Sequence, residues 1–318
     1  ILTANSIPCL LSDKFSPTPS LSFGVIDQNA GGALIVTSSH NPYNWNGIKY
    51  KSEYGGSASL DVIRQVEKEI SKVNSNILTK SKKYLLSTFD PKPNYIANIK
   101  KFVDLELINS CKLNILVDYM YGAGIGYLDN FFDNNQTSVT ELHEHPNPSF
   151  PGMGQPEPIP KNLEKMQIQL LENNYDVGIA FDGDADRLGL FDGEGNYINT
   201  IETFALIILH LFENKKLFGG IVTSLTMGSI FTKIAKYFNV PIIETAVGFP
   251  HLCKAMISQN ALLAGEESGG YAFKFHIPER DGILSSLLIL ELLATSKKSL
   301  QQLKDEMYDK FGRTFYGR

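Results

Sequence analysis

The sequence predicts an α/β protein of three consecutive, similar α/β domains, each a mixed sheet flanked by helices. Short apolar runs alternate with amphipathic stretches, as in strand–helix units. The alternation recurs three times at roughly hundred-residue spacing, an ordinary domain size. Each repeat also ends a strand in a loop of unusual composition: Thr37–Pro42, Asp182–Arg187 and Gly265–Gly270. Strand-end loops are where open α/β sheets place ligands.

In the first unit, residues 1–90, Leu10-Leu11 reads as a strand entering the proline turn Ser16–Pro19, and Ser20–Asn29 as a short helix. Ala33–Val36, bounded by Gly31-Gly32 and Asn41-Pro42, reads as a buried strand that stops abruptly. Asn46-Gly47 signals a tight turn. After it, Lys49 and Lys51 alternate with Ile48 and Tyr50, a strand pattern. Leu60–Val73 spaces Val62, Ile63, Val66 and Ile70 along one helical face. Asp90–Pro93 marks the boundary.

The second unit, residues 91–200, opens with a helix over Tyr95–Leu107, a strand at Leu113–Val117 and the glycine turn Gly122–Gly126. His143–Pro160 is a long polar loop, followed by helix Leu163–Glu172. Strand Val177–Phe181 runs into Asp182-Gly183-Asp184-Ala185-Asp186-Arg187, and strand Leu188–Phe191 turns at Asp192–Asn196. The third unit, residues 201–304, carries helices at Thr203–Phe212, Ser229–Phe238, Phe249–Ile257 and Ile283–Ala294, with strands at Gly220–Leu225, Val240–Glu244 and Ala261–Ala264. Helix Ser299–Phe311 closes the chain, and residues 305–318 are assigned to the start of a further domain. With Ile1 in place of Met and no cap after Arg313, the chain reads as an internal piece of a longer protein.

A net charge of −5 gives no reason to expect nucleic acid or an anionic membrane as partner. The longest apolar run, Ile283–Ala294, is broken by Ser285, Ser286 and Glu291 and is shorter than the roughly 20 residues of a membrane span. No signal peptide is visible. Cys9, Cys111 and Cys253 lie far apart without a CxxC unit, which fits a reducing cytoplasm better than a disulfide framework.

The sharpest chemical signal is Asp182, Asp184 and Asp186. In extended chain, positions i, i+2 and i+4 point to one side. Carboxylates converging there repel, and their pKa values rise unless a cation sits among them. All-oxygen ligation suits Mg²⁺. An EF-hand is excluded, because Arg187 and Gly193 stand where it needs glycine and an acid. An acidic surface turn is the plain alternative. Arg187 beside the acids suits a phosphate clamp. Ser39 is the candidate nucleophile or phosphoryl carrier, with His40 its neighbour; no GxSxG elbow points to acyl transfer. A phosphoserine at Ser39 would bring three acceptor oxygens, one of which would complete a three-aspartate Mg²⁺ site. Lys49 suits a phosphate contact or a proton-transfer role. Glu266 and Ser268, among glycines that allow close approach, suit sugar hydroxyls, although a solvated glycine turn would look the same. His143 and His145 with Glu141 and Glu144 read as a polar loop rather than a metal site.

Together these residues resemble the α-D-phosphohexomutases, the phosphoglucomutase and phosphomannomutase family. Thr37–Pro42 resembles the phosphoserine loop, Asp182–Arg187 the metal loop, Gly265–Gly270 the sugar-binding loop, and Thr245–Pro250 the loop that fixes sugar orientation. The resemblance implies domains around a central cleft and phosphoryl exchange between the C1 and C6 hydroxyls of glucose or mannose phosphate. Ser39, His40, Lys49 and Arg187 are the implied catalytic residues. Thr245, Gly248, Glu266 and Ser268 are implied to bind substrate, and Ser39, Asp182, Asp184 and Asp186 to hold Mg²⁺. A hexose 1,6-bisphosphate is the implied intermediate and activator, and a small-molecule hexose phosphate the implied partner. Phosphoglucosamine mutase and a non-catalytic sugar-phosphate binder are the alternatives, with a Mg²⁺-dependent phosphatase or a Ca²⁺ module further off. Where family members often carry a phosphate-contacting lysine, this chain has Pro250. The family's fourth, phosphate-gripping domain is expected to be missing almost entirely.

Overall fold

The computed structural model describes residues 1–73, 80–132 and 136–314. In the first unit, β1 (Cys9–Ser12) leads through Pro17 into α1 (Thr18–Asp27), where Pro19 fits the first turn because its missing N–H has no partner there anyway. β2 (Gly32–Val36) and β3 (Ile48–Ser52) form an antiparallel pair; α2 (Leu60–Ile70) and β4 (Leu86–Phe89) follow, β4 running parallel to β1. Among the described residues the two pairs are not joined. Between them lies a cavity of about 1420 Å³, lined by all of β1 and all of β2. The expectation of a buried strand at Ala33–Val36 is therefore corrected: Leu34 is 54% and Val36 69% exposed. The apolar run identified the strand, but of its residues only Ile35 is buried. Likewise α2 forms with its apolar stripe intact and buries no residue.

The second unit has α3 (Lys92–Ile99), α4 (Leu105–Ser110), β5 (Asn114–Asp118), β6 (Ser138–Leu142), α5 (Glu164–Glu172), β7 (Val177–Phe181), β8 (Leu188–Asp192) and β9 (Tyr197–Ile198). The single helix expected over Tyr95–Leu107 is two. The chain turns after Ile99, and the Asp104 carboxylate accepts from the Leu107 N–H to start a new helix. The sheet is continuous, ordered β6-β5-β7-β8-β9, with β5, β6 and β7 parallel. Every residue of β7 and β8 is buried, as expected for strands covered on both faces.

The third unit has α6 (Thr200–Leu209), β10 (Ile221–Ser224), α7 (Ile230–Phe238), β11 (Ile242–Thr245), α8 (Phe249–Ser258), β12 (Leu263–Gly265), β13 (Tyr271–Phe273), α9 (Gly282–Ser296) and α10 (Leu300–Phe311). Its sheet runs β11-β10-β12-β13, with only β13 antiparallel. A capping box of Asn199 and Glu202 starts α6 earlier than its apolar pattern suggests. Pro250 occupies the first turn of α8. The long apolar run is α9, a core helix wedged against α4, β7 and β8 of the second unit and α6 of the third, so these two units share one core. No helix among the described residues is long and apolar enough to cross a membrane. α10 packs on α6 and α7, so a boundary after residue 304 falls inside this helix. Residues 315–318 of the expected further domain lie outside the described residues.

Candidate active site

The aspartate loop forms where β7 ends. Asp182 organises it: its Oδ1 accepts from the Asp186 and Arg187 N–H groups at 3.0 and 3.2 Å, and its carbonyl accepts from Ala185. Ala185 takes a left-handed φ of 55°. The three carboxylates thus converge by a tight turn wrapped around Asp182, and not by extended-chain alternation. Ligand oxygens of Asp182, Asp184 and Asp186 lie within 4.8 Å of one another, all on buried residues.

The serine loop docks directly on this turn. Gly183 permits the approach, since a Cβ there would collide with the Ser39 carbonyl oxygen. Ser39, at φ 53°, donates from Oγ to Asp184 Oδ1 at 3.2 Å, and its N–H is held by Thr37 Oγ1 at 2.8 Å. Thr18 grips the same aspartate twice, Oγ1 to Oδ2 at 2.6 Å and N–H to the carbonyl at 2.9 Å. From β3, Lys49 Nζ reaches Asp184 at 2.7 Å, Asp186 at 3.0 Å and Ser39 Oγ at 3.3 Å. Lys51, on the same face of β3, is buried against Glu279, which also accepts from Ser57.

The cluster's charges are balanced by protein cations. Burial, then repulsion by Asp186 and Asp184, pushes Asp182 well above the ordinary carboxylate range. Burial and Asp186 work the same way on Asp184, yet Lys49 and Thr18 hold it below that range. Against burial, Arg280, Lys49 and Arg187 hold Asp186 below that range as well. The same aspartates outweigh burial at Lys49 and keep it an ammonium. The rise expected of converging carboxylates without a cation is thus seen at Asp182, while at the other two the cations that prevent it are side chains. His40 sits beside this cluster. Burial, then Arg187, lowers its pKa to about 4, so the imidazole is neutral near pH 7. Arg187 is buried, 3.5 Å from Glu157 and 3.8–3.9 Å from Asp182 and Asp186.

Two observations bear on a metal. Asp182 Oδ2 and Asp186 Oδ1 are buried without a hydrogen-bond partner among the described residues. Buried carboxylate oxygens left unpaired are costly, and a hard divalent cation with oxygen ligands fits the donors they present.

At the sugar-type loop, Ser268 Oγ donates to Glu266 Oε1 at 2.8 Å. Arg280 Nη1 donates to the same oxygen at 2.9 Å, while its Nη2 lies 2.7 Å from Asp186 Oδ2. The structure thereby joins Ser39, Lys49, the three aspartates, Arg187, Glu266 and Ser268 in one region. Among the described residues, Thr245 and Gly248 are not joined to it directly: Thr245 Oγ1 bonds only to the nearby Thr223 and Ala246 carbonyls, and Gly248, at φ 114°, precedes α8. Their loop reaches the cluster through Phe249, whose ring lies 5.1 Å from the Arg280 guanidinium. His143 bonds Asp118 at 2.8 Å, as a polar loop would. Thr18 and Arg280 are not visible in the sequence as site residues; the only local signal for Arg280 is a charge between Glu279 and Asp281 at the head of an apolar helix.

Family models for phosphoglucomutase/phosphomannomutase alpha/beta/alpha domains I, II and III match residues 1–76, 93–195 and 200–311. The phosphoglucomutase/phosphomannomutase of Thermococcus kodakarensis is 31% identical over 92% of this chain and 64% of its own length. The phosphoglucosamine mutase of Acetivibrio thermocellus is 29% identical over 92% of this chain and 65% of its own. The chain thus spans a little under two thirds of the curated relatives it matches. A Thermus thermophilus crystal structure of the phosphomannomutase type superposes with a TM-score of 0.91 at 30% identity, covering 98% of this chain and 71% of that one. Motif, geometry and likeness agree, and the chain belongs to the phosphoglucomutase/phosphomannomutase family.

Proposed function

We propose that this chain carries the phosphoryl-transfer centre of a phosphohexomutase, exchanging phosphate between the C1 and C6 hydroxyls of a hexose phosphate through phosphorylated Ser39 and a hexose 1,6-bisphosphate. The observation that carries this reading is Ser39 Oγ held at 3.2 Å from Asp184 and 3.3 Å from the Lys49 ammonium, beside two buried carboxylate oxygens without a hydrogen bond among the described residues. Asp182, Asp184 and Asp186, with an oxygen of the Ser39 phosphate, would hold Mg²⁺, which when bound offsets charge on the transferring group. The remaining roles fall to side chains. As the bond from Ser39 Oγ to phosphorus breaks and the bond to the sugar oxygen forms, Lys49, held as an ammonium, stabilises the serine oxygen and gives it a proton. Neutral His40 takes the proton from the attacking sugar hydroxyl. Arg187 is the guanidinium proposed to position the phosphoryl group. Glu266 and Ser268 accept and donate to sugar hydroxyls, and Thr245 and Gly248 shape the loop that fixes ring orientation.

Glucose and mannose phosphates are the proposed substrates. The phosphoglucosamine mutases among the relatives support an amino sugar as the second reading. The three free cysteines fit a cytoplasmic protein. The test is incubation with glucose 1,6-bisphosphate and Mg²⁺ followed by peptide mass spectrometry. Phosphate is expected on Ser39 and absent from Ser39→Ala; an unmodified Ser39 overturns the reading. Competition by glucose 1-phosphate, mannose 1-phosphate and glucosamine 6-phosphate for that labelling then ranks the sugars.

A further inference from the structure

Residue 280 touches the aspartate loop, the Gly265–Gly270 loop and the Thr245–Pro250 loop. Its guanidinium forks, Nη2 onto Asp186 Oδ2 at 2.7 Å and Nη1 onto Glu266 Oε1 at 2.9 Å, and it stacks over Phe249. Its path is built in, because a Cβ at Gly270 would collide with the Arg280 side chain. Its backbone is fixed as well. Glu279 accepts the Arg280 N–H at 3.1 Å and is itself pinned by buried Lys51 and by Ser57 of the first unit. The neighbouring Asp281 accepts from Tyr95 and from the Leu284 N–H. Both anchors of the fork are thus set by contacts reaching across the molecule.

The fork divides the work of Asp186. Its Oδ2 is taken by Arg280 and Lys49, which leaves Oδ1 without a hydrogen bond among the described residues, 3.9 Å from Arg187 Nε. Partners that orient a ligating carboxylate typically carry 10–100-fold of a site's metal affinity. Here the same guanidinium also orients Glu266, which holds Ser268. We infer that Arg280 is a positioning residue that couples the cation site on the aspartates to the sugar-binding carboxylate Glu266, so that a change at either end is felt at the other. This rests on the metal reading of Asp182, Asp184 and Asp186. Coupling of this kind is reciprocal: whatever Glu266 does to cation affinity, the cation does to Glu266.

A lysine at 280 keeps the charge but cannot span both carboxylates. The test is Mn²⁺ binding to the 318-residue chain, followed by loss of the free-ion EPR signal, for the parent, Asp184→Asn, Arg280→Lys, Glu266→Gln and the Arg280→Lys/Glu266→Gln double variant. Circular dichroism and thermal melting accompany each. Arg280→Lys is expected to weaken Mn²⁺ about tenfold. Glu266→Gln, which never touches the metal, is expected to weaken it about threefold in the parent and to have no further effect in the Arg280→Lys background, a non-additivity that a double-mutant cycle isolates. Folded single variants that bind Mn²⁺ like the parent, or additive effects, overturn the coupling while leaving the metal site standing. A parent that binds no Mn²⁺, or an Asp184→Asn variant that binds as well as the parent, overturns both. Should Arg280→Lys fail to fold, Glu266→Gln with unchanged Mn²⁺ affinity is sufficient to overturn the coupling.

Discussion

The first and second units solve the same problem, delivering a loop from a strand end, in opposite ways. In the second, β7 sits in a continuous five-stranded sheet with every side chain buried. In the first, β2 belongs to a two-stranded pair facing a cavity, with Leu34 and Val36 in the open. The aspartate loop is therefore held by its own sheet. The serine loop is held by the aspartate loop, through Thr18, Gly183 and the Ser39–Asp184 bond. Position at the site comes from contacts between units, more than from the strand that carries the serine.

That contrast is breakable, and the largest effect is expected where the units are pinned. Lys51→Met removes the nearer of the two cations beside buried Glu279, leaving Arg280 at 3.7 Å, and is expected to cost about 3 kcal/mol in urea unfolding; a loss under about 1 kcal/mol would mean the first unit is held elsewhere. Next comes the paired truncation of one residue in each sheet. Ile179→Ala in β7 should cost about 2–5 kcal/mol, whereas Leu34→Ala in β2 should stay within about 0.5 kcal/mol; equal costs would erase the distinction. Gly183→Ala should cost about 1–3 kcal/mol by overpacking against the serine loop. It should also suppress phosphate labelling of Ser39 far more than its stability loss accounts for, as read by peptide mass spectrometry.

The smallest effect concerns reactivity alone. Cys9 lies in β1 on the cavity, whereas Cys253 is buried in α8, where burial and then Glu279 push its thiol up to about 12. At pH 8 about one Cys253 in 10⁴ is a thiolate. Maleimide at pH 8 should modify Cys9 in the folded protein and Cys253 only after denaturation, with Cys253 reactivity rising as pH climbs toward 12. Prompt native labelling of Cys253 would show that α8 opens.

The parts of this protein legible in its sequence are those whose cause is local. Asp182, Asp184 and Asp186 lie within five residues of one another, so their convergence can be read, although the turn at Ala185 that produces it cannot. The three loops are legible because apolar runs end abruptly there. The short strands β6 and β13 are not, since neither alternation nor length sets them apart and pairing alone defines them. Burial of β2 is misjudged from sequence for a related reason: an apolar run reports that a strand is apolar, and says nothing about whether anything covers it. Arg280 and Thr18 are invisible because their chemistry depends on partners 94 and 166 positions away.

Those separations also bear on the order in which the chain is made. A ribosome emits the three aspartates well before the arginine that neutralises Asp186, by about 5–20 s at cellular synthesis rates. Lys51, made earlier still, waits longer for Glu279, 228 positions downstream. During that interval the nascent chain carries the acidic turn with Lys49 and Arg187 at hand but without its fork, and β7 without the α9 helix that seals it. The turn just before α9 is thus the one that closes the site, so a chain halted before residue 280 would hold the serine and its aspartates and lack the tie between them and Glu266.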